Sequence, residues 1–151
     1  MVKLTNKWEA NPTFPTETVS PGGTVTSPLN VDKPQGVNYS DVNPFVIGPA
    51  GLPAGSAPTG ETNEHGNPTY KIATANGDWI VGLDKQGNVI STAPATAKAG
   101  DKINVPVIVT YGDGSKDTAT ATVNVEDAPT REVPFKVVYK YDATVNQGTY
   151  Q

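Results

Sequence analysis

His65 is the chain's one histidine, and the 151 residues contain no cysteine. Catalysis by a serine or threonine hydroxyl needs a base positioned beside it. His65, however, lies in a run rich in Gly, Asn and Pro that is typical of a solvent-exposed loop. One histidine without cysteine is also a poor basis for a zinc or copper site. We therefore predict that the chain is not an enzyme, has no catalytic residue and binds no cofactor.

The fifteen Asp and Glu residues offer a second kind of chemistry. Glycoside hydrolysis needs two carboxylates across a substrate cleft, and an aromatic content of 7% leaves little to hold a sugar. Calcium prefers hard oxygen ligands near turns, which directs attention to Asp113, Asp117, Glu126 and Asp127. These residues lack EF-hand spacing, and turn chemistry alone explains Asp113. We therefore expect no metal site.

Charge and hydropathy exclude two classes of partner. The net charge is −4, with only 11 Lys and Arg residues and no basic run, whereas binding to phosphate backbones needs clustered positive charge. No apolar run approaches the ~20 residues of a membrane span. We expect neither nucleic acid binding nor membrane insertion in this fragment, and any export signal or anchor would lie outside it.

The clearest structural pattern is a pair of alternating runs around the Gly-Asp-Gly turn at residues 112–114. Strict period-2 alternation on both sides of such a turn predicts an antiparallel hairpin. Pro106 lacks an N–H, so it should point away from the ladder or lie at an edge. The side chains predicted to face the core are Ile103, Val105, Val107, Val109, Tyr111, Ala119, Ala121, Val123 and Val125.

A second hairpin is predicted after residue 77. Trp79, Val81 and Leu83 alternate onto one side, and the turn at residues 84–88 offers Gly or Asn for the left-handed position. Trp79 is expected in the core, together with Trp8, Phe14 and Tyr111. The Thr-Val-Thr segment at residues 24–26 is a further strand, between turns at residues 21–23 and 33–36.

Turn residues and a shift in composition set the remaining boundaries. Residues 48–60, rich in Gly, Pro and Ala, are predicted to form a long loop that runs on to Asn67. The composition changes at residues 126–130, and an alternating strand follows at residues 133–141. We predict an all-β, immunoglobulin-like antiparallel β-sandwich with long loops over residues 1–127. Residues 128–151 are either an added edge strand or the start of another module.

Three segments resemble the Rib/alpha-like repeat domains of Gram-positive bacterial surface proteins. Residues 107–117, Val-Ile-Val-Thr-Tyr-Gly-Asp-Gly-Ser-Lys-Asp, match that family's closing V-x-V-T-Y-x-D-G-S-x-D hairpin, although Gly112 stands where proline is common. Residues 18–26 are similar to its opening strand and residues 79–89 to its central hairpin. The region at residues 48–66 is longer than in a standard unit, so the chain resembles a long variant.

The resemblance implies a structural role outside the cell. It favours a spacer module in a cell-wall-anchored surface protein of a Gram-positive bacterium, extending a distal adhesive region. The alternative is a ligand-binding adhesin module that contacts host matrix or glycan through the 48–66 loop. The partners it implies are neighbouring domains of the same surface protein and, in the alternative, host or mucosal ligands. It supplies no catalytic residue.

Overall fold

A computed structural model describes residues 10–32 and 36–127. These residues form eleven β-strands, one 3-10 turn at Pro49–Gly51 and no α-helix. The all-β prediction is confirmed. The strands are β1 (Pro12–Thr13), β2 (Glu17–Val19), β3 (Thr24–Ser27), β4 (Asn30–Val31), β5 (Phe45–Ile47), β6 (Ala57–Thr62), β7 (Pro68–Thr74), β8 (Gly77–Leu83), β9 (Val89–Thr92), β10 (Lys102–Thr110) and β11 (Lys116–Val125).

The strands form a sandwich of two main sheets. One sheet has the order β2-β11-β10-β5 and the other β3-β9-β8-β7-β6, while β1 and β4 make a separate two-stranded ribbon. The apolar side chains of both inner faces pack together as one core, with Phe14, Phe45 and Tyr70 partly buried at its margin. The prediction of a sandwich is therefore confirmed. Its physical cause is the packing of the apolar inner faces of the two sheets against each other.

The closing hairpin has the predicted faces. Strands β10 and β11 pair antiparallel, with Ile103 opposite Val123 and Val107 opposite Ala119. All nine side chains assigned to the core from the sequence are buried. Gly114 adopts a φ of +85° in the turn, a left-handed conformation that glycine enters without a Cβ penalty.

Pro106 is accommodated where a neighbouring strand ends. Strand β5 pairs with Val107–Val109 of β10 and stops at Ile47. The Pro106 carbonyl accepts a hydrogen bond from Gly48 N on that same side. Since the N and the C=O of a strand residue point to one side, the missing N–H of Pro106 falls where no ladder partner remains. This agrees with the expectation from the sequence.

The Trp79 hairpin is also confirmed. Trp79, Val81 and Leu83 of β8 are buried, and β8 pairs with β9 through Leu83 opposite Val89. In the turn, Asp84 Oδ1 accepts hydrogen bonds from the backbone N–H groups of Gln86 and Asn88. Gly87 has a φ of +85°, and a Cβ there would lie 2.8 Å from the Phe45 ring. Glycine is required at this position for both reasons.

Strand β2 pairs with β11 in parallel, which the sequence did not indicate. Glu17, Thr18 and Val19 lie opposite Val123, Asn124 and Val125. All other described strand pairs in the sandwich are antiparallel. At one edge of the four-stranded sheet, β2 lies parallel to β11, the last described strand.

The predicted loop over residues 48–67 was wrong in its second half. Residues Ala57–Thr62 form β6, which pairs antiparallel with β7 at the edge of the five-stranded sheet. All six residues of β6 are exposed, so the strand has no buried face and no alternating hydrophobic pattern. Pro58 and Gly60 are tolerated because an edge strand needs fewer ladder bonds. The irregular segment is therefore limited to residues 48–56 and the β6–β7 turn.

Some predictions fall outside the described residues. These are Trp8, the first part of the turn at residues 33–36, and the strand at residues 133–141 with the whole of 128–151.

Candidate functional surfaces

His65 lies in the β6–β7 turn, and its backbone is held by Asn63. Asn63 Oδ1 accepts hydrogen bonds from the backbone N–H groups of His65 and Asn67, while Asn63 Nδ2 donates to the Leu83 carbonyl. The His65 side chain is only 31% exposed, and its Nε2 lies 3.6 Å from Glu64 Oε2. It is thus less exposed than expected. In the described part of the chain no hydroxyl group hydrogen-bonds to its ring, so the structure brings no nucleophile to this histidine.

A shallow depression of about 260 Å³ opens beside His65 on the outer face of the five-stranded sheet. Ile80, which is 41% exposed, forms its apolar floor together with Ile90. Asn63, Glu64 and Thr92 supply polar groups around it. Such a surface can bind a small ligand or a side chain of a partner by apolar contact, with polar groups at the rim. Sequence reasoning missed it because its residues come from four different strands and turns.

A second groove, of about 210 Å³, lies where the two sheets separate beside β5. Phe45 and Tyr70 contribute aromatic surface, and Asn43 and Asn67 contribute amides. Asn43 has a φ of +46°, a conformation that asparagine adopts more readily than most residues. The Asn43-Pro44 dipeptide was the available signal, since Asn-Pro favours a turn, but nothing in the sequence placed it beside Tyr70.

The four carboxylates considered for calcium are not gathered into one site. Asp113 caps its own turn by accepting from the Ser115 N–H. Asp117 accepts a 2.8 Å hydrogen bond from the Tyr111 hydroxyl. Glu126 and Asp127 are exposed just beyond β11. Over residues 10–32 and 36–127, no group of three or more His, Asp or Glu side chains is placed to hold a metal ion. The absence of calcium binding remains a prediction.

Tyr111, which is buried, forms an aromatic cluster with the partly buried Tyr39 and Phe45. The Tyr39 and Tyr111 rings stack with centroids 6.3 Å apart, and Tyr39 meets Phe45 edge-on at 4.8 Å. Burial, assisted by the hydrogen bond to Asp117, raises the pKa of Tyr111 well above its usual value. The hydroxyl therefore stays protonated and donates to Asp117, which gives this cluster a structural role.

Asp101 is the one described carboxylate whose pKa is clearly lowered. The backbone N–H of Lys98 donates to it at 2.9 Å and the Asn76 side chain donates to both of its oxygens. These hydrogen bonds favour the charged form and lower the pKa of Asp101, with the Lys98 bond contributing most. Asp101 thereby ties the β7–β8 turn to the start of β10.

Comparison with known proteins gives a family match over part of the chain. The Long Rib domain model matches residues 48–126, which is just over half of the 151 residues. No curated protein matches the chain. The match contains the two hairpins that suggested the resemblance, while the opening segment at residues 18–26 precedes it. Strands β2, β3 and β5 also lie before the match, yet they pair with β11, β9 and β10 inside it.

These observations first define the class of protein, which is an all-β sandwich module. The chain belongs to the Long Rib domain family. Rib domains are structural repeat modules of extracellular surface proteins and are not known enzymes. The described residues contain no helix that is both long and apolar enough to cross a membrane.

Proposed function

We propose that this chain is a structural spacer in a cell-wall-anchored surface protein of a Gram-positive bacterium, where it holds a distal adhesive region away from the wall. Its partners on this proposal are the neighbouring domains of the same protein. The observation that carries the proposal is the path of β2, an early strand, and β11, the last described strand, which run in the same direction side by side.

This path lets a module add length to a string. Because β2 runs parallel to β11 from Glu17 opposite Val123, the chain before Glu17 comes from the side of the early part of β11, and β1 is in contact with β11. Chain that follows Val125 leaves beyond the other end of the same strand. Strand β11 has 10 residues and spans about 33 Å at ~3.3 Å per residue. Entry and exit are therefore separated along the strand axis, and each module extends the string by a distance of that order.

The test is to measure the length of tandem arrays. Proteins with one, two and three copies of the full chain would be compared by small-angle X-ray scattering. We expect the maximum dimension to grow by a constant step of at least ~30 Å per copy. A matched array in which a Gly/Ser sequence replaces residues 128–151 controls for the junction, because such linkers behave as flexible coils. Steps that shrink with copy number, as in a collapsed globule, would contradict the spacer role.

The depression beside His65 supports a second candidate, a ligand-binding adhesin module. Its polar rim comes partly from Asn63, Glu64 and His65, within the 48–66 segment expected to make the contact, and its floor exposes Ile80. An exposed branched apolar side chain beside amide and carboxylate groups can contact host matrix protein or glycan.

A point substitution tests this candidate better than a deletion in the 48–66 segment. Shortening residues 49–59 would also remove the first half of β6, so loss of binding would be ambiguous. Ile80→Asp alters the depression alone, and Val42→Asp, at a 71% exposed position elsewhere, is the matched control. Saturable binding to matrix proteins, mucin or glycans that Ile80→Asp abolishes and Val42→Asp preserves would favour the adhesin role.

A further inference from the structure

The pairing of β2 with β11 has a defined hydrogen-bond geometry. The Val19 carbonyl accepts a hydrogen bond from Glu126 N at 3.0 Å. Because the N–H and C=O of one residue point to the same side of a strand and successive residues alternate, Glu17 and Val19 face β11. The backbone of Thr18 faces the opposite way. Among the described strands, β2 is the edge of its sheet, so no described strand pairs with the Thr18 N–H.

Parallel neighbours at the two ends of a chain respond to tension in a particular way. A pull on the preceding chain draws β2 toward its own first residue, and a pull on the following chain draws β11 toward its last. The two strands are therefore pulled in opposite directions along their length. Every hydrogen bond between them carries load at once, whereas strands pulled apart from one shared end separate one bond at a time.

We propose that Glu17–Val19 and Val123–Val125 form a terminal clamp that resists unfolding when the module is stretched. The inference rests on the proposed spacer function, because only a module in series between the wall and a distal region carries such a load.

The surroundings of the terminal clamp suit this role. The side chains of Val19, Val123 and Val125 are at most 7% exposed, so apolar packing shields the backbone bonds from water that would otherwise compete for them. The end of β11 is also held on its other side. Val125 N donates to the Asp101 carbonyl at 2.7 Å, and the Val125 carbonyl accepts from Gly100 N at 3.0 Å.

The load also passes through β1 before it reaches the terminal clamp. Strand β1 pairs antiparallel with β4, and bonds between antiparallel strands lie perpendicular to the strand axis. A pull along β1 therefore loads this ribbon in shear as well. The tension therefore acts first on the β1–β4 pair and then on the terminal clamp. The terminal clamp joins the first and last strands of one sheet.

Single-molecule force spectroscopy on the full chain tests the proposal by changing only the direction of pull. The chain has no cysteine of its own, so introduced cysteines provide unique handles. Handles at Thr16→Cys, which follows β1, and at Asp127→Cys load the terminal clamp in shear without loading β1. Handles at Ser20→Cys and Asp127→Cys lie beyond the same end of β2 and β11 and open the same bonds one by one. We expect the first pair of handles to require the higher force, and equal forces would overturn the proposal.

A matched pair of proline substitutions tests which bonds carry the load. Glu17→Pro removes an N–H that faces β11, and Thr18→Pro removes one that faces solvent. Loss of one hydrogen bond should raise the unfolding rate at fixed force about two- to tenfold, while Thr18→Pro should change it by less than about twofold. Equal effects of the two substitutions would contradict the clamp. If Glu17→Pro does not fold, the comparison of pulling directions still decides.

The outcomes separate this proposal from the spacer function. Long tandem arrays whose modules unfold at the same force in both directions would leave the spacer and remove the terminal clamp. Arrays that collapse would remove the spacer, whatever force a single module withstands.

Discussion

Two serine hydroxyls are buried in the core without a hydrogen-bond partner among the described residues. Ser27 in β3 and Ser91 in β9 are both 0% exposed, and neither Oγ has a partner there. Ser91 lies on the central part of the five-stranded sheet, opposite Val25 on one side and Val81 on the other. We predict that Ser91→Ala stabilises the protein.

The magnitude follows from two opposing terms. Burying a hydroxyl without a hydrogen bond costs about 1–3 kcal/mol, and the substitution removes that cost. Deleting one oxygen leaves a space no larger than a water, ~15 Å³, which costs about 0.4 kcal/mol at ~24 cal/mol per Å³. The free energy of unfolding should therefore rise by about 1–2 kcal/mol, which corresponds to an increase of ~3–8 °C in melting temperature for a domain of this size.

Urea and thermal unfolding of Ser91→Ala, with Ser40→Ala as the control, would measure the effect. The Ser40 hydroxyl accepts from Val42 N and donates to the Val42 carbonyl, so its removal should destabilise by about 0.5–1.5 kcal/mol. A loss of stability in Ser91→Ala would refute the reasoning, because it would mean that the buried hydroxyl is hydrogen-bonded after all.

Four further predictions concern the core, a turn, acid stability and calcium. Trp79→Ala should cost about 3–5 kcal/mol in chemical denaturation, since the ring is fully buried; a cost near zero would place the ring at the surface. Gly87→Ala should cost at least ~1 kcal/mol in the same assay, because its φ is +85° and a Cβ would press on Phe45; an unchanged midpoint would contradict this. The folded pKa of Asp101 is lowered, so its contribution to the free energy of unfolding is present above the unfolded pKa of ~3.9 and is lost as pH falls through the folded pKa. Melting temperatures measured between neutral pH and pH ~2 should therefore fall more steeply for the wild type than for Asp101→Asn, and parallel curves would contradict the assignment. The melting temperature with excess calcium should equal that with chelator, and a saturable increase would reveal a site.

The hairpins could be predicted because their signal is local. From Ile103 in β10 and from Ala119 in β11, every second side chain is apolar and buried, so the pattern indicates the buried faces as well as the strands. Trp79, Val81 and Leu83 carry the same information for β8. The predicted turns at Gly87 and Gly114 follow from the left-handed conformation that each needs.

The elements that were missed have no local signal. Strand β6 exposes both faces, so nothing in its composition distinguishes it from a loop. The parallel pairing of β2 with β11 joins segments about a hundred residues apart, and no alternation within either segment specifies its partner. The depression at Ile80 could not be predicted for the same two reasons, the missing signal for β6 and the unspecified strand pairing. The β6–β7 turn must lie against β8 before Asn63 and His65 can form its rim.

The irregular edge of β6 would have a consequence for folding if several modules were joined in one chain. Its pairing with β7 shifts register between Pro58 and Thr62, and Gly60 adopts a φ of +85°. Tethered neighbours meet at effective concentrations near millimolar, where an unprotected edge strand would pair with its counterpart in the next module and produce misassembled or swapped pairs. Pro58 withholds a donor and the bulge bends the edge, so in a tandem array of the kind proposed above adjacent copies would lack a straight template on each other. In such an array, strand β6 would disfavour pairing between neighbouring modules.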